Sequence, residues 1–318
     1  MKVTQVADRC QDVLTALERV IVGKDQVLRR VLAGILANGH ILLEDYPGLA
    51  KTLIARLIGQ AVDLRFKRIQ FTPDLLPSDI TGTFLFNQRT GEFEFRRGPV
   101  FTQLLLADEI NRATPKTQAA LLEAMQEGQV TIEGESFPLE QPFLVIATQN
   151  PIDLEGTYPL PEAQLDRFLM RIPVGYPDRD EERIILLRRR DRRNDAAEVA
   201  SVLSRPDLLA MQQALEDVFV DETVDGYIVD IVRATREDQR IALGASPRGA
   251  LALLKLARAE AALHRRDYVT PDDVKEMAVP ALSHRLTVRP ELWVSNLSPT
   301  TVIREILNRV PTPKAEAA

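Results

Sequence analysis

Glu44-Asp45-Tyr46-Pro47-Gly48-Leu49-Ala50-Lys51-Thr52 closes the first apolar run of this chain, and its reading decides the fold. His40 to Glu44 reads as a short buried strand and Leu53 to Ala61 as the helix after it. Between them lies a tight turn whose helical exit carries Lys-Thr. Backbone N–H groups at a helix start, an ammonium and a hydroxyl can converge there on one phosphate chain. In that reading Lys51 reaches the β- and γ-phosphates, Thr52 ligates Mg²⁺, and Gly48 lets the backbone curl. Two positions depart from the Gly-x-x-x-x-Gly-Lys-Ser/Thr template. Asp45 stands where the first glycine belongs and Ala50 where the second belongs, each adding a Cβ. The plain alternative is an ordinary strand, turn and helix with an exposed lysine.

A second apolar run, Leu104-Leu105-Leu106-Ala107-Asp108-Glu109, ends in adjacent carboxylates. Beside a phosphate loop, Asp108 would hold Mg²⁺ and Glu109 would polarise the attacking water. Without Lys51 the pair reads as a solvated, acidic strand end. A third run, Phe143 to Gln149, delivers Asn150, whose amide could orient that water; Asn150-Pro151 could equally be a turn. Arg167 precedes a fifth apolar run, Phe168 to Val174, which reads as a strand. Arg248 sits in Ser246-Pro247-Arg248-Gly249, in the first turn of a helix. A cation there opposes the helix dipole, which suggests an anionic partner. The alternative for both arginines is a surface ion pair.

Working outward, Arg68 to Phe71 reads as a further strand. Val6 to Val20, Asp25 to Leu36 and Lys116 to Glu127 have helical patterning. Continuous apolar strands alternating with helices predict an α/β fold with a five-stranded parallel sheet covered on both faces. The α/β domain spans 1–177. Asp178 to Arg190 reads as a charged helix, and 178–204 as a connecting helix and linker with Arg188 to Asn194 as a solvated end. From 205 to 310 the signals are helical, with Ser246-Pro247, Thr270-Pro271 and Ser298-Pro299 marking helix starts. Residues 311–318 read as a tail.

The chain has 318 residues, 45% of them hydrophobic and 27% charged, with net charge −6. That acidic balance disfavours a dedicated nucleic-acid binder. The single cysteine, Cys10, excludes an internal disulfide or a cysteine zinc cluster. The N-terminal region lacks a signal-peptide apolar core, and no run is long enough to span a bilayer. The expectation is a cytoplasmic protein.

The ordered set Lys51-Thr52, Asp108-Glu109, Asn150, Arg167 and Arg248 resembles the AAA+ ATPases, and more closely their MoxR group. The carrying segments are Leu43 to Thr52, Asp108-Glu109-Ile110-Asn111-Arg112-Ala113, Ala147-Thr148-Gln149-Asn150-Pro151 and Glu155 to Phe168. The likeness runs from about Val20 to Leu286. It implies an ATP- and Mg²⁺-dependent ATPase with a five-stranded core and a helical lid, ATP between them, in a hexameric ring. It implies Lys51, Glu109, Asn150, Arg167 and Arg248 as catalytic. Asn150 becomes the first sensor, Arg248 the lid sensor, and Arg167 the finger reaching a neighbour's ATP. Nucleotide contacts fall to Val22 and Gly23, matching the segment that meets adenine through backbone, to Tyr46, Pro47, Gly48, Leu49, Ala50, Lys51 and Thr52, and to Arg248. Thr52 and Asp108 take the metal.

Phe84-Leu85-Phe86 and Phe93-Glu94-Phe95 flank a turn and read as a hairpin, as do Val130 to Glu133 and Ser136 to Leu139. They resemble hairpins inserted in the AAA+ branch that includes MoxR proteins and magnesium-chelatase motors. They either move against a partner or simply pack on their own domain. The resemblance implies a chaperone or remodeller of protein complexes, often with a von Willebrand A domain partner. The alternatives are a magnesium-chelatase-like motor subunit and a nucleotide-dependent regulator or nucleic-acid motor.

Overall fold

The computed structural model describes residues 1–46, 48–150, 156–295 and 297–313. Pro47, Pro151, Glu155 and the end of the tail, 314–318, lie outside the described residues. The core runs α1 (Val3–Glu18), α2 (Asp25–Leu36), β1 (Ile41–Glu44), α3 (Lys51–Ala61), β2 (Phe66–Gln70), α4 (Pro77–Thr81), β3 (Gly82–Asn87), β4 (Glu92–Arg97), β5 (Leu104–Asp108), α5 (Pro115–Glu127), β6 (Gln129–Ile132), β7 (Glu135–Pro138), β8 (Leu144–Gln149), α6 (Glu162–Leu165) and β9 (Met170–Pro173). The helical part runs α7 (Arg179–Arg192), α8 (Arg205–Ala214), α9 (Glu222–Glu237), β10 (Ile241–Leu243), α10 (Pro247–Leu263), α11 (Pro271–Leu282), β11 (Thr287–Val288) and α12 (Pro299–Arg309).

Five strands form one parallel sheet in the order β2-β5-β8-β1-β9. Side chains alternate across it. Ile41, Leu43, Leu104, Leu106, Leu144 and Ile146 face a core shared with α1, α2 and α3. Leu42, Leu105, Ala107, Val145 and Ala147 face a second core with α5. Burial on both faces is why these strands read as unbroken apolar runs. The register aligns Glu44 with Gln149 and Gln70 with Asp108, so the phosphate loop, both acids and Asn150 gather at the carboxyl edge of the sheet.

The helical part does not float free. Leu253, Leu256, Ala257, Val274, Val302, Ile303 and Ile306 belong to the same apolar cluster as Val13, Leu17, Leu28 and Leu32. Glu260, itself buried, pairs with Arg29 of α2 at 3.1 Å. Ser246 and Ser298 cap α10 and α12 through their hydroxyls, and Thr270 forms a capping box with Asp273. The expectation that every element after 205 is helical is corrected by β10 and β11, which pair antiparallel through Ile241 and Val288. Two or three residues are too short to leave a period in the sequence.

Both inserted hairpins form, β3 with β4 and β6 with β7. Phe84, Phe95 and Phe137 join them, with Phe95 and Phe137 stacked at 4.3 Å. The next cross-strand pair, Phe86 with Phe93, is exposed, the latter at 69%. Of these five phenylalanines, three therefore pack on their own domain and two face outward.

Candidate nucleotide site

The loop after β1 closes on itself. Gly48 has φ +82° and Ala50 φ +59°, so both are left-handed. Such residues curl the chain so that successive N–H groups can converge on an anion. A Cβ at Gly48 would meet nothing within 4 Å, so conformation and not space favours glycine there. Ala50 holds the left-handed form despite its methyl group and is the N-cap of α3. Asp45, the other departure from the template, is a tie: its carboxylate accepts from the Tyr46 N–H at 2.8 Å and from the Gly175 N–H. Tyr46 lies against Tyr176, ring centroids 5.5 Å apart.

Lys51 is buried, and its ammonium donates to the carbonyls of Asp45 and Tyr46. Burial pulls its pKa down, opposed by Asp45, Asp108, Glu109 and Glu44. Thr52 Oγ1 donates to Asp108 Oδ2 at 3.1 Å, so the two metal candidates meet. Arg68 Nε also reaches Oδ2, at 2.9 Å, and Thr148 Oγ1 donates to Oδ1 at 2.6 Å. The same Thr148 oxygen accepts the Glu109 N–H at 2.8 Å, so one hydroxyl aligns both acids. Glu109 is left-handed at φ +56°, and Oε2 accepts from Gln70 at 2.7 Å and Arg112 at 3.0 Å. Asn150 is buried beside them, its carbonyl accepting from Asn111.

A cavity of about 290 Å³ adjoins this loop. Val20, Val22, Lys24, Gly48, Leu49, Ala50 and Leu53 form one wall, and Ile185, Arg188, Arg189 and Arg192 of α7 form the other. Gly23, at φ +68°, lies against the Glu181 carboxylate. Reading Arg188 to Asn194 as a merely solvated helix end is thus corrected: three of its arginines line the cavity. Distant packing decides this, and a charge run does not reveal it.

The two remaining arginines are elsewhere. Arg167 donates to Gln126 Oε1 at 3.0 Å, and Arg248 is exposed, its backbone N–H donating to Ser246 Oγ at 3.1 Å. Residues 166–169 enter β9, and Leu169 N–H bonds the carbonyl of His40, just before β1. They therefore lie at the amino edge of the sheet, whereas Lys51 lies beyond its carboxyl edge. β1 has four residues, so at roughly 3.3 Å per residue the edges are about 13 Å apart. The N-cap of the Arg248 helix joins this distant edge, since Ser246 Oγ donates to Asp166 Oδ2 at 3.0 Å. The structure brings Lys51, Thr52, Asp108, Glu109 and Asn150 together, and puts Arg167 and Arg248 together apart from them.

Sequence reasoning missed Thr148, Arg68, Gln70 and Arg112. Thr148 carried a signal, being the hydroxyl in an otherwise apolar strand. Arg68 and Gln70 become visible only through strand register, and Arg112 through the short turn after β5 that folds it back on Glu109.

Residues 40–170 match the model of the ATPase family associated with various cellular activities, AAA, and residues 233–306 match the AAA lid domain. Chaperone MoxR1 of Mycobacterium tuberculosis is 46% identical over 95% of this chain and 81% of its own length. This chain belongs to the MoxR family of AAA+ ATPases. A crystal structure described as a candidate ATPase from Cytophaga hutchinsonii superposes with TM-score 0.91 at 43% identity, covering 98% of this chain and 97% of that one. A magnesium-chelatase 38 kDa subunit of Acidiphilium rubrum is 32% identical over 58% of this chain and 53% of its own length. No described helix is long and apolar enough to cross a membrane.

Proposed function

We propose that this member of the family hydrolyses ATP in a closed, hexameric ring of its own copies and uses the cycle to remodel a protein partner. One observation carries the reading. The binding and water-activating groups stand at the carboxyl edge of the sheet, and the two unabsorbed arginines stand at the amino edge. A site divided in this way is completed only by a second copy.

The residues suit the ligands. Thr52 and Asp108 offer hard oxygen atoms 3.1 Å apart, the donor type a small divalent ion takes. Among the described residues no cluster of three or more acidic, His or Cys side chains could hold a metal. Mg²⁺ would therefore draw its remaining ligands from phosphate oxygens and water, and when bound it would neutralise charge on those oxygens. Lys51 would turn its ammonium from the loop carbonyls to the phosphates. Glu109 would accept the proton of the attacking water, held in place by Gln70 and Arg112, and Asn150 would orient that water. Val22 and Gly23 would meet the base. Arg167 and Arg248 would act on a neighbour's γ-phosphate. An arginine so placed is worth roughly 10³–10⁵ in rate.

The partner is proposed to be a protein complex undergoing maturation, approached through a von Willebrand A domain protein, in the cytoplasm. The exposed Phe86 and Phe93 are suited to such a contact. Likeness to the mycobacterial chaperone over nearly the whole chain supports this above a chelatase role, whose relative aligns over 58% of it. A net charge of −6 disfavours nucleic acid.

The test separates binding from turnover. Lys51→Ala should lose nucleotide binding, and Glu109→Gln should bind ATP yet release no phosphate. Normal turnover by Glu109→Gln would end the assignment. Capture of a partner by Glu109→Gln in ATP would identify the client.

A further inference from the structure

Arg285 is a buried cation, 6% exposed, contributed by the helical part of the chain to the turn that precedes β9. A guanidinium has five N–H donors, and here each finds an acceptor. Nε donates to Asp166 Oδ1 at 2.7 Å, and Nη2 to the carbonyls of Phe168 at 2.7 Å and Asp166 at 3.2 Å. Nη1 donates to the Leu169 carbonyl at 3.2 Å and to the Ala281 carbonyl. Four of the five acceptors therefore lie in residues 166–169, around Arg167. The second oxygen of Asp166 accepts from Ser246 Oγ, which in turn accepts the backbone N–H of Arg248 at 3.1 Å. His284 packs into the joint, its Nε2 lying 3.1 Å from the Phe168 carbonyl and 2.8 Å from Arg285 Nη1.

Burying a charge costs several kcal/mol before its partners are counted, and apolar packing of the same volume would often stabilise as well. What a planar, five-donor fork adds is a fixed orientation. We propose that Arg285 and Asp166 are positioning residues that lock the turn bearing Arg167 to the helix bearing Arg248, so that one copy presents both arginines to its neighbour as a single rigid unit. This rests on the proposed division of the site between copies. Its consequence is that movement of the helical part in one copy moves the finger of that same copy, and hence governs hydrolysis next door.

The experiment uses rings mixed from two inactive variants. Asp166→Asn keeps the size of the side chain, and Arg285→Lys keeps the charge with fewer donors. Should one fail to fold, the other carries the same test. A catalytic group displaced by about 1 Å costs on the order of 10²-fold, so each variant should lose about that much turnover while its own site binds a fluorescent ATP analogue as wild type does. Mixing either with Lys51→Ala should restore turnover, because the Lys51→Ala copy supplies an intact finger to a variant copy's intact site. Arg167→Ala mixed with Lys51→Ala is the control. Recovery in the control but not in the Asp166→Asn and Arg285→Lys mixtures would overturn the positioning role, as would loss of nucleotide affinity in step with turnover. No recovery in the control would remove the divided site, and this inference with it.

Discussion

Gly23→Ala tests how the N-terminal segment and α7 together shape the nucleotide cavity. Gly23 has φ +68°, a region in which a Cβ costs roughly 1–2 kcal/mol. That Cβ would also fall 2.1 to 2.4 Å from the carboxylate atoms of Glu181. Glu181 is the flexible end of a capping box: its Oε2 accepts the Asp178 N–H at 2.8 Å at the start of α7. The side chain would swing away, forfeiting a cap contact worth about 0.5–1 kcal/mol. The expected total is therefore roughly 1.5–3 kcal/mol. It should be accompanied by weaker ATP-analogue binding, because the displaced helix carries Ile185, Arg188 and Arg189 into the cavity wall. Urea denaturation of wild type, Gly23→Ala, Glu181→Ala and the double variant gives the cycle. With Glu181 already shortened, Gly23→Ala should cost only the backbone part, about 1–2 kcal/mol. A single variant as stable as wild type would refute the reasoning. An unchanged cost in the Glu181→Ala background would refute the contact with α7 and leave only the strain.

Two further outcomes are expected. Ala50→Gly should raise the unfolding free energy by about 0.5–1 kcal/mol, since relief of left-handed strain outweighs glycine's extra freedom in the unfolded chain. Chemical denaturation checks this, and a loss of stability would mean the methyl group makes contacts that matter. Acid should weaken the fold through His40, whose Nδ1 accepts the Val145 N–H and whose Nε2 donates to the Met125 carbonyl. Burial pulls its pKa down to about 4 from an ordinary 6.5, so the native ring stays neutral while the unfolded one protonates. That contribution is complete above pH 6.5 and is lost as pH falls toward 4. It amounts to roughly 3–4 kcal/mol at about 1.4 kcal/mol per pH unit. Stability profiles of wild type and His40→Gln should converge toward pH 4, and parallel profiles would contradict this.

Cys10 is free, as a lone cysteine within one chain must be, and the structure buries it: burial pushes its thiol up to about 12, leaving it without nucleophilic character at neutral pH. The fold and half of the site share that legibility. Buried parallel strands must be apolar along their whole length, so β1, β5 and β8 stand out as runs, and functional groups at their carboxyl ends follow from the strand boundaries. Asp25–Leu36 was bounded by its pattern alone. The start of α3 at Lys51 rather than Leu53 was not, because a left-handed residue, not a change in hydropathy, begins that helix.

What the sequence determined by itself was local: which runs are strands, which Ser-Pro and Thr-Pro pairs start helices, and which polar residues end each strand. Those properties depend on neighbours within a few positions, where side-chain period and capping chemistry act. Only the tertiary structure decided the rest. Thr148 joins Asp108 to Glu109 because strand register sets two strand ends side by side. Arg188 and Arg189 line the cavity because α7 folds back over the loop. Arg248 stands with Arg167, across the sheet from Lys51, because the buried guanidinium of Arg285 ties residues more than a hundred positions apart. No period or spacing records such a bond, since its energy depends on burial and geometry that exist only once the chain has closed on itself.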